Sequence, residues 1–313
     1  MGGAGHFYPE AGSVINYTSE IDRNGLYRLS PVGEMTSELS AFAEKNRDIG
    51  ISYAPFGIVL DYYHGMFPGD TRIAEKSVFG ALPYNDGDQM TLDLLESFFP
   101  GSFETIDCDE STYQVNGPYG DTCDVLLQNA SSEVLESYPC LILSGDITLS
   151  KSEAERYKSY AENGGTLILN TAYLKFFPEY KNKSGSIAVG DGTVIVYGPD
   201  YDISLLDAII KEQLNRLLPF KVSGSAEYLI NIKDGSLIVT LINNDGYYYN
   251  RITGEYIDTD AAGRVTVEYN GTARVKRIKE LWSDEYIASG KQNKKSCTVT
   301  LSPGEVKILE FIF

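Results

Sequence analysis

Ser144 and Gly145 close the stretch "PCLILSG", Asp146 follows, and His64 stands just after "VLDYY", beside Asp61. Both stretches read as buried strands, and in open α/β sheets reactive groups gather at the carboxyl ends of parallel strands. A hydroxyl, an imidazole and a carboxylate are the parts of a nucleophilic hydrolase: serine attacks, histidine takes its proton and the acid orients the histidine. His64, Ser144 and Asp146 are therefore the catalytic candidates, and Asp61, His64 and Asn170, which ends "TLILN", are the ligand-binding candidates of the same edge. Spacing argues against the catalytic reading. A nucleophile elbow carries a glycine two residues to either side of its serine, whereas Ser144 has Ile142 and Asp146 there. A βα turn with an acid near a helix start accounts for the same residues, and a His beside an Asp in a strand-end loop is commonly a structural hydrogen bond.

Other chemistry has less to work with. Only two histidines exist, His6 and His64, and Cys108, Cys123, Cys140 and Cys297 show no CxxC or Cys/His ligand spacing, so neither a metal site nor a cofactor is expected. Cys140 reads as a core residue, while Cys108 and Cys123 flank a polar loop and could pair in an oxidising compartment. "PYNDGDQM" offers Asn85, Asp86 and Asp88 as hard oxygen ligands but lacks the spaced pattern and terminal Glu of an EF-hand; a helix-capping turn is the simpler reading. Tyrosine is abundant, 23 of 313 residues, with runs at Tyr62-Tyr63 and Tyr247-Tyr248-Tyr249. Its flat face and polar tip suit stacking on sugar rings as well as ordinary packing, and core or interface use is the default.

These residues need elements to hold them. From Ala54 onward strands alternate with helices: "APFGIVLDYY", the helix "DQMTLDLLESFF" capped by Asp88, "SFETID", "SSEVLESY", "PCLILSG". Ser150 with Glu153 forms a capping box for the next helix, which Asn163-Gly164-Gly165 ends before "TLILN". Such alternation predicts a parallel sheet with right-handed crossovers. "GSIAVGDGTVIVYG" reads as a hairpin, and "ISLLDAIIKEQLNRLL" as a long amphipathic helix ending near Pro219. Beyond Phe220 only strands are expected, with Asp234-Gly235 and Asp245-Gly246 as turns. Residues 1–50, with a helix whose Met35, Leu39 and Phe42 share one face, cannot close a core alone and must lean on the next domain or on upstream material; that helix face is expected to pack on the α/β domain or stay partly bare. The expected organisation is 1–50 as a strand-plus-helix segment packing on the next domain, 51–220 as an α/β domain, and 221–313 as an antiparallel β-sandwich.

Taken together, "LSPVGEMTSELSAFAEK", "YAPFGIVLDYYHG", "YPCLILSGDITLSKSEAERYKSYAENGGTLILN" and "LSPGEVKILEF" resemble, in order and spacing, the carboxyl-terminal part of β-galactosidase-like glycoside hydrolases of family 42. The resemblance implies the end of a catalytic barrel, then a flavodoxin-like domain similar to class I glutamine amidotransferases and used in trimerisation, then a small β-sandwich. It also implies two catalytic Glu residues on barrel strands, ~5–5.5 Å apart in retaining enzymes. A barrel needs ~200 residues or more, and only 50 precede residue 51. Glu10 has no partner carboxylate, so no catalytic residue carries over. The expectation is a non-catalytic portion of a carbohydrate-active enzyme, serving assembly and support by self-association or with a barrel-containing partner. The alternatives are an amidotransferase-like or esterase-like hydrolase at the strand ends, or a carbohydrate-binding module.

Charge narrows the partners. Lys and Arg total 26 against 44 Asp and Glu, a formal net charge of −18, which repels nucleic acid and anionic lipid. Neither nucleic acid nor membrane is an expected partner. Met1-Gly-Gly-Ala-Gly-His lacks the charged and apolar regions of a secretory signal, and the sequence sets no compartment: a secreted or periplasmic parent protein is compatible with it.

Overall fold

The computed structural model describes residues 18–21, 25, 27–29, 31–62, 86–100, 116–199, 201–250, 254–287 and 295–313. His6, Glu10, Tyr63, His64, Asn85, Cys108 and the expected strand "SFETID" lie outside the described residues. The fold is mixed: a six-stranded, mainly parallel sheet is followed by antiparallel sheets.

The chain opens with a short antiparallel pair, β1 (Thr18–Ile21) and β2 (Tyr27–Leu29), then helix α1 (Pro31–Lys45) and β3 (Ile51–Ser52). The α/β region comprises β4 (Phe56–Leu60), α2 (Asp86–Phe98), β5 (Cys123–Leu127), α3 (Ser132–Glu136), β6 (Cys140–Leu143), α4 (Lys151–Glu162), β7 (Thr166–Asn170), β8 (Gly185–Val189), β9 (Gly192–Tyr197) and α5 (Ile203–Leu217). Its strand order is β5-β4-β6-β7-β9-β8, parallel throughout except for β8, which returns antiparallel on β9. The four inner strands, β4, β6, β7 and β9, are almost wholly apolar because both faces are buried. Phe56, Ile58, Ile142, Ile168 and Ile195 pack with α2 and α5 on one face. Val59, Leu141, Leu143, Leu167, Leu169 and Val194 pack with α3 and α4 on the other. The capping box forms as expected: Ser150 Oγ accepts from Glu153 N, and Ser150 N donates to the Glu153 carboxylate.

Two details differ from the sequence reading. Asp88, expected ahead of α2, lies within its first turn, since the helix begins at Asp86. The strand Cys123–Leu127 falls where the sequence reading assigned no element; it is an edge strand with Asp124, Val125 and Leu127 exposed, so no clean alternation marks it. Cys123 is a buried free thiol.

The remaining strands are β10 (Phe220–Ser223), β11 (Glu227–Lys233), β12 (Ser236–Ile242), β13 (Tyr247–Asn250), β14 (Gly254–Ile257), β15 (Gly263–Tyr269), β16 (Arg277–Glu280), β17 (Glu285–Ile287), β18 (Ser296–Leu301) and β19 (Val306–Ile312). They form a three-stranded sheet β10-β15-β18, a six-stranded sheet β17-β16-β19-β12-β11-β3 and the hairpin β13-β14. Asp234-Gly235 turns β11 into β12, with Gly235 at φ 73°, a conformation that favours glycine. Phe220 of one sheet meets Phe311 of the other at 4.7 Å between ring centroids. The α2/α5 face of the parallel sheet is continuous with this core through Tyr119, Leu218 and Tyr228.

Helix α1 leans on the antiparallel sheet. Phe42 stacks on Trp282, centroids 5.0 Å apart, and is buried with Ile238, Leu281 and Ile308, while β3 adds to the edge of β11. The rest of its apolar face is bare: Met35 is 66% and Leu39 39% exposed.

Candidate functional site at the strand ends

Asp61, Ser144 with Asp146, and Asn170 follow or end β4, β6 and β7, three adjacent parallel strands. The sheet therefore collects these candidates along one carboxyl edge, as the strand pattern implies.

Ser144 and Asn170 are engaged in bonds that hold the scaffold. Ser144 is fully buried; its N–H continues the ladder to Val59 O at 3.0 Å. Its hydroxyl lies 2.8 Å from Thr91 Oγ1 on α2. Thr91 itself donates to Gly87 O at 3.1 Å, which leaves Ser144 to donate to Thr91. Gly145 adopts φ 87°, and its carbonyl accepts a hydrogen bond from the buried Tyr173 hydroxyl. Burial holds that phenol well above its ordinary range, with Tyr201, Tyr197 and Asp146 adding to the effect. The first turn of α2 closes over the same spot: a Cβ on Gly87 would lie 2.4 Å from Asp146 N. Asn170 is buried and caps the 3-10 turn Thr171–Lys175 by accepting from Ala172 N at 2.9 Å. Asp146 is exposed and Asp61 half-buried.

A serine nucleophile needs an accessible oxygen and a base to take its proton. Ser144 instead ties the end of β6 to α2, and the residues that complete this arrangement, Thr91 and Tyr173, are ones that sequence reasoning missed. Neither carries a motif; each is selected by where its element packs. Ser144→Ala is expected to cost about 1 kcal/mol, one buried hydrogen bond, read as a small drop in the urea midpoint with the fold retained.

A second polar cluster joins the α/β region to β11. Asn116 Oδ1 accepts from Glu227 N at 3.1 Å and Asn244 N at 2.9 Å, and Asn116 Nδ2 donates to Ser225 Oγ at 2.9 Å. Glu227 Oε2 accepts from Gly117 N at 2.7 Å, an approach that a side chain at Gly117 would block, since its Cβ would sit 2.8 Å from that oxygen. Glu227 Oε1 is buried without a hydrogen-bond partner. Burial pushes this carboxyl up to about 7; the N–H groups of Gly117 and Tyr228 oppose the shift and Asp121 adds to it.

Among the described residues several tyrosines are core residues, as at Tyr157, Tyr160 and Tyr197. On the hairpin β13-β14, Tyr248 faces Tyr256, centroids 5.9 Å apart, and Tyr256 is 64% exposed. No group of three His, Cys, Asp or Glu side chains is placed to hold a metal ion among the described residues, and none of their helices is long and apolar enough to cross a membrane.

No protein-family model and no curated protein matches the chain. Solved structures do. A β-galactosidase from Bacillus circulans sp. alkalophilus matches 93% of this chain with 46% of its own, at 14% identity and a TM-score of 0.52. A catalytic mutant of Gan42B, a GH42 β-galactosidase from G. stearothermophilus, matches 94% with 45% of its own, at 13% identity and a TM-score of 0.50. The likeness is one of fold. The resemblance to part of a family 42 β-galactosidase, expected from the order of the segments, is thus found in the structure. A rhamnosidase from Novosphingobium sp. PP1Y shares it too, over 91% of this chain and 25% of that one, at 13% identity and a TM-score of 0.50. The chain spans less than half the length of each of these structures, and a fold common to enzymes with different names does not carry a substrate.

Proposed function

We propose that this chain is the non-catalytic, carboxyl-terminal portion of a β-galactosidase-like glycoside hydrolase. In this reading the parallel-sheet region is a flavodoxin- or amidotransferase-like assembly domain, and the antiparallel sheets are a β-sandwich that buttresses it. The carrying observation is the strand-end edge, where the hydroxyl of Ser144 and the side chains of Asn170 and Tyr173 are engaged in bonds that close the scaffold. The match to less than half of much longer enzymes and the bare Met35 and Leu39 on α1 agree with it: an apolar helix face beside a packed domain is a surface that a barrel, supplied by the same parent or a partner, would cover.

The purified chain is expected to show no turnover of a chromogenic galactoside and to run in light scattering as an oligomer. Turnover abolished by changing one of its own carboxylates would overturn the non-catalytic reading; a monomer at every concentration tested would overturn self-assembly. His64→Ala separates the alternative hydrolase, which it would inactivate, from a scaffold, whose association it would leave unchanged.

A further inference from the structure

Along the face of α5 that looks toward the β8–β9 hairpin runs a cleft of ≈ 490 Å³, within the range of small-molecule sites. One end holds Arg216. Its Nη2 donates to Thr166 Oγ1 at 3.0 Å and to Gln213 Oε1 at 2.6 Å, and both acceptor residues are buried, at 3% and 6% exposure. Neutral groups thus fix the guanidinium in one orientation. Glu212, one residue before Gln213, lines the same cleft, yet no carboxylate among the described residues forms an ion pair with Arg216. In a chain with 44 acidic side chains against 26 basic ones, an exposed arginine held by neutral partners, with no ion pair to a described carboxylate, can offer its charge to a ligand. Ser184 and Ser186 of the hairpin side also line the cleft, as do the apolar Leu205 and Ile209 of α5.

A fixed guanidinium, flanking hydroxyls and one carboxylate beside an apolar wall match a small molecule that bears a carboxylate, several hydroxyls and a C–H face. Arginine prefers such planar anions because its fork of N–H donors meets both oxygens. We infer that the cleft between α5 and the β8–β9 hairpin binds a hydroxylated carboxylic acid of the sugar-acid class, its carboxylate on Arg216 and its hydroxyls on the serines and Glu212. The inference goes beyond the assembly role and stands whether or not the chain self-associates.

Titration calorimetry of the full chain with galacturonate, with galactose and inorganic phosphate as comparators, tests it. Galacturonate is expected to bind, galactose to bind about tenfold more weakly or not at all, and Arg216→Gln to remove that preference, the consequence of losing a charge-assisted contact. Ser186→Tyr, on the exposed rim, is expected to block binding with an unchanged thermal midpoint, and decides the matter if Arg216→Gln fails to fold. Absence of galacturonate binding, undiminished binding in either folded variant, or phosphate binding as tightly as galacturonate would each overturn the assignment.

Discussion

Phe311→Ala is expected to destabilise the protein by about 3–5 kcal/mol, the usual range for emptying a fully buried aromatic position. Phe311 has no exposed surface, meets Phe220 across the two antiparallel sheets and sits on β19, which is bonded to both β12 and β16. The same cluster extends without a break into the α2/α5 face of the parallel sheet. The loss is therefore expected to be felt by the whole chain: unfolding followed by near-ultraviolet and far-ultraviolet circular dichroism should remain a single transition at a lower urea midpoint. Two separated transitions, with only one displaced, would show that the two regions unfold independently and that the shared core does not couple them.

The second large effect concerns Glu227. Burial raises its carboxyl from the ordinary 4.5 to about 7, so the folded chain holds the proton more tightly than the unfolded chain does. Its contribution to stability is complete below about pH 4.5 and declines as pH rises through about 7, a loss on the order of 2–3 kcal/mol. The groups facing it do not reverse this: Asp121, Cys123 and the Tyr228 side chain bring no positive charge, and the N–H groups of Gly117 and Tyr228 offset burial only in part. Glu227→Gln keeps an oxygen for that N–H and removes the titration. It is expected to match the parent near pH 4.5 and to exceed it by roughly that same amount at pH 8. Urea midpoints of both proteins across this range check the claim, and two parallel curves would contradict it.

Glu227 also shows where sequence reading stops. In "SAEYLINIK" it is one more polar residue at the start of an alternating strand. Its carboxylate meets Gly117, 110 residues earlier in the chain. Ser144 is the converse case. Its strand, its turn and its failure to fit a nucleophile frame are local facts and were legible; its actual partner, Thr91, lies 53 residues away on α2. The edge strand Cys123–Leu127 escaped notice because one exposed edge and a mixed burial pattern leave no periodic signal. Helix α1 was legible as a helix with an apolar face, but not as one that sets Phe42 on Trp282.

The amino-acid sequence by itself determined the elements and their kinds: the doubly buried strands, the capping box at Ser150 and the turn at Asp234-Gly235 all follow from interactions within a few residues, which local order suffices to specify. Tertiary structure alone decided which polar groups are engaged, which carboxyl is driven toward neutrality and which arginine is held by neutral partners beside a cleft. Burial and hydrogen-bond partners come from segments distant in the chain, and no short window of sequence contains both sides of such a contact.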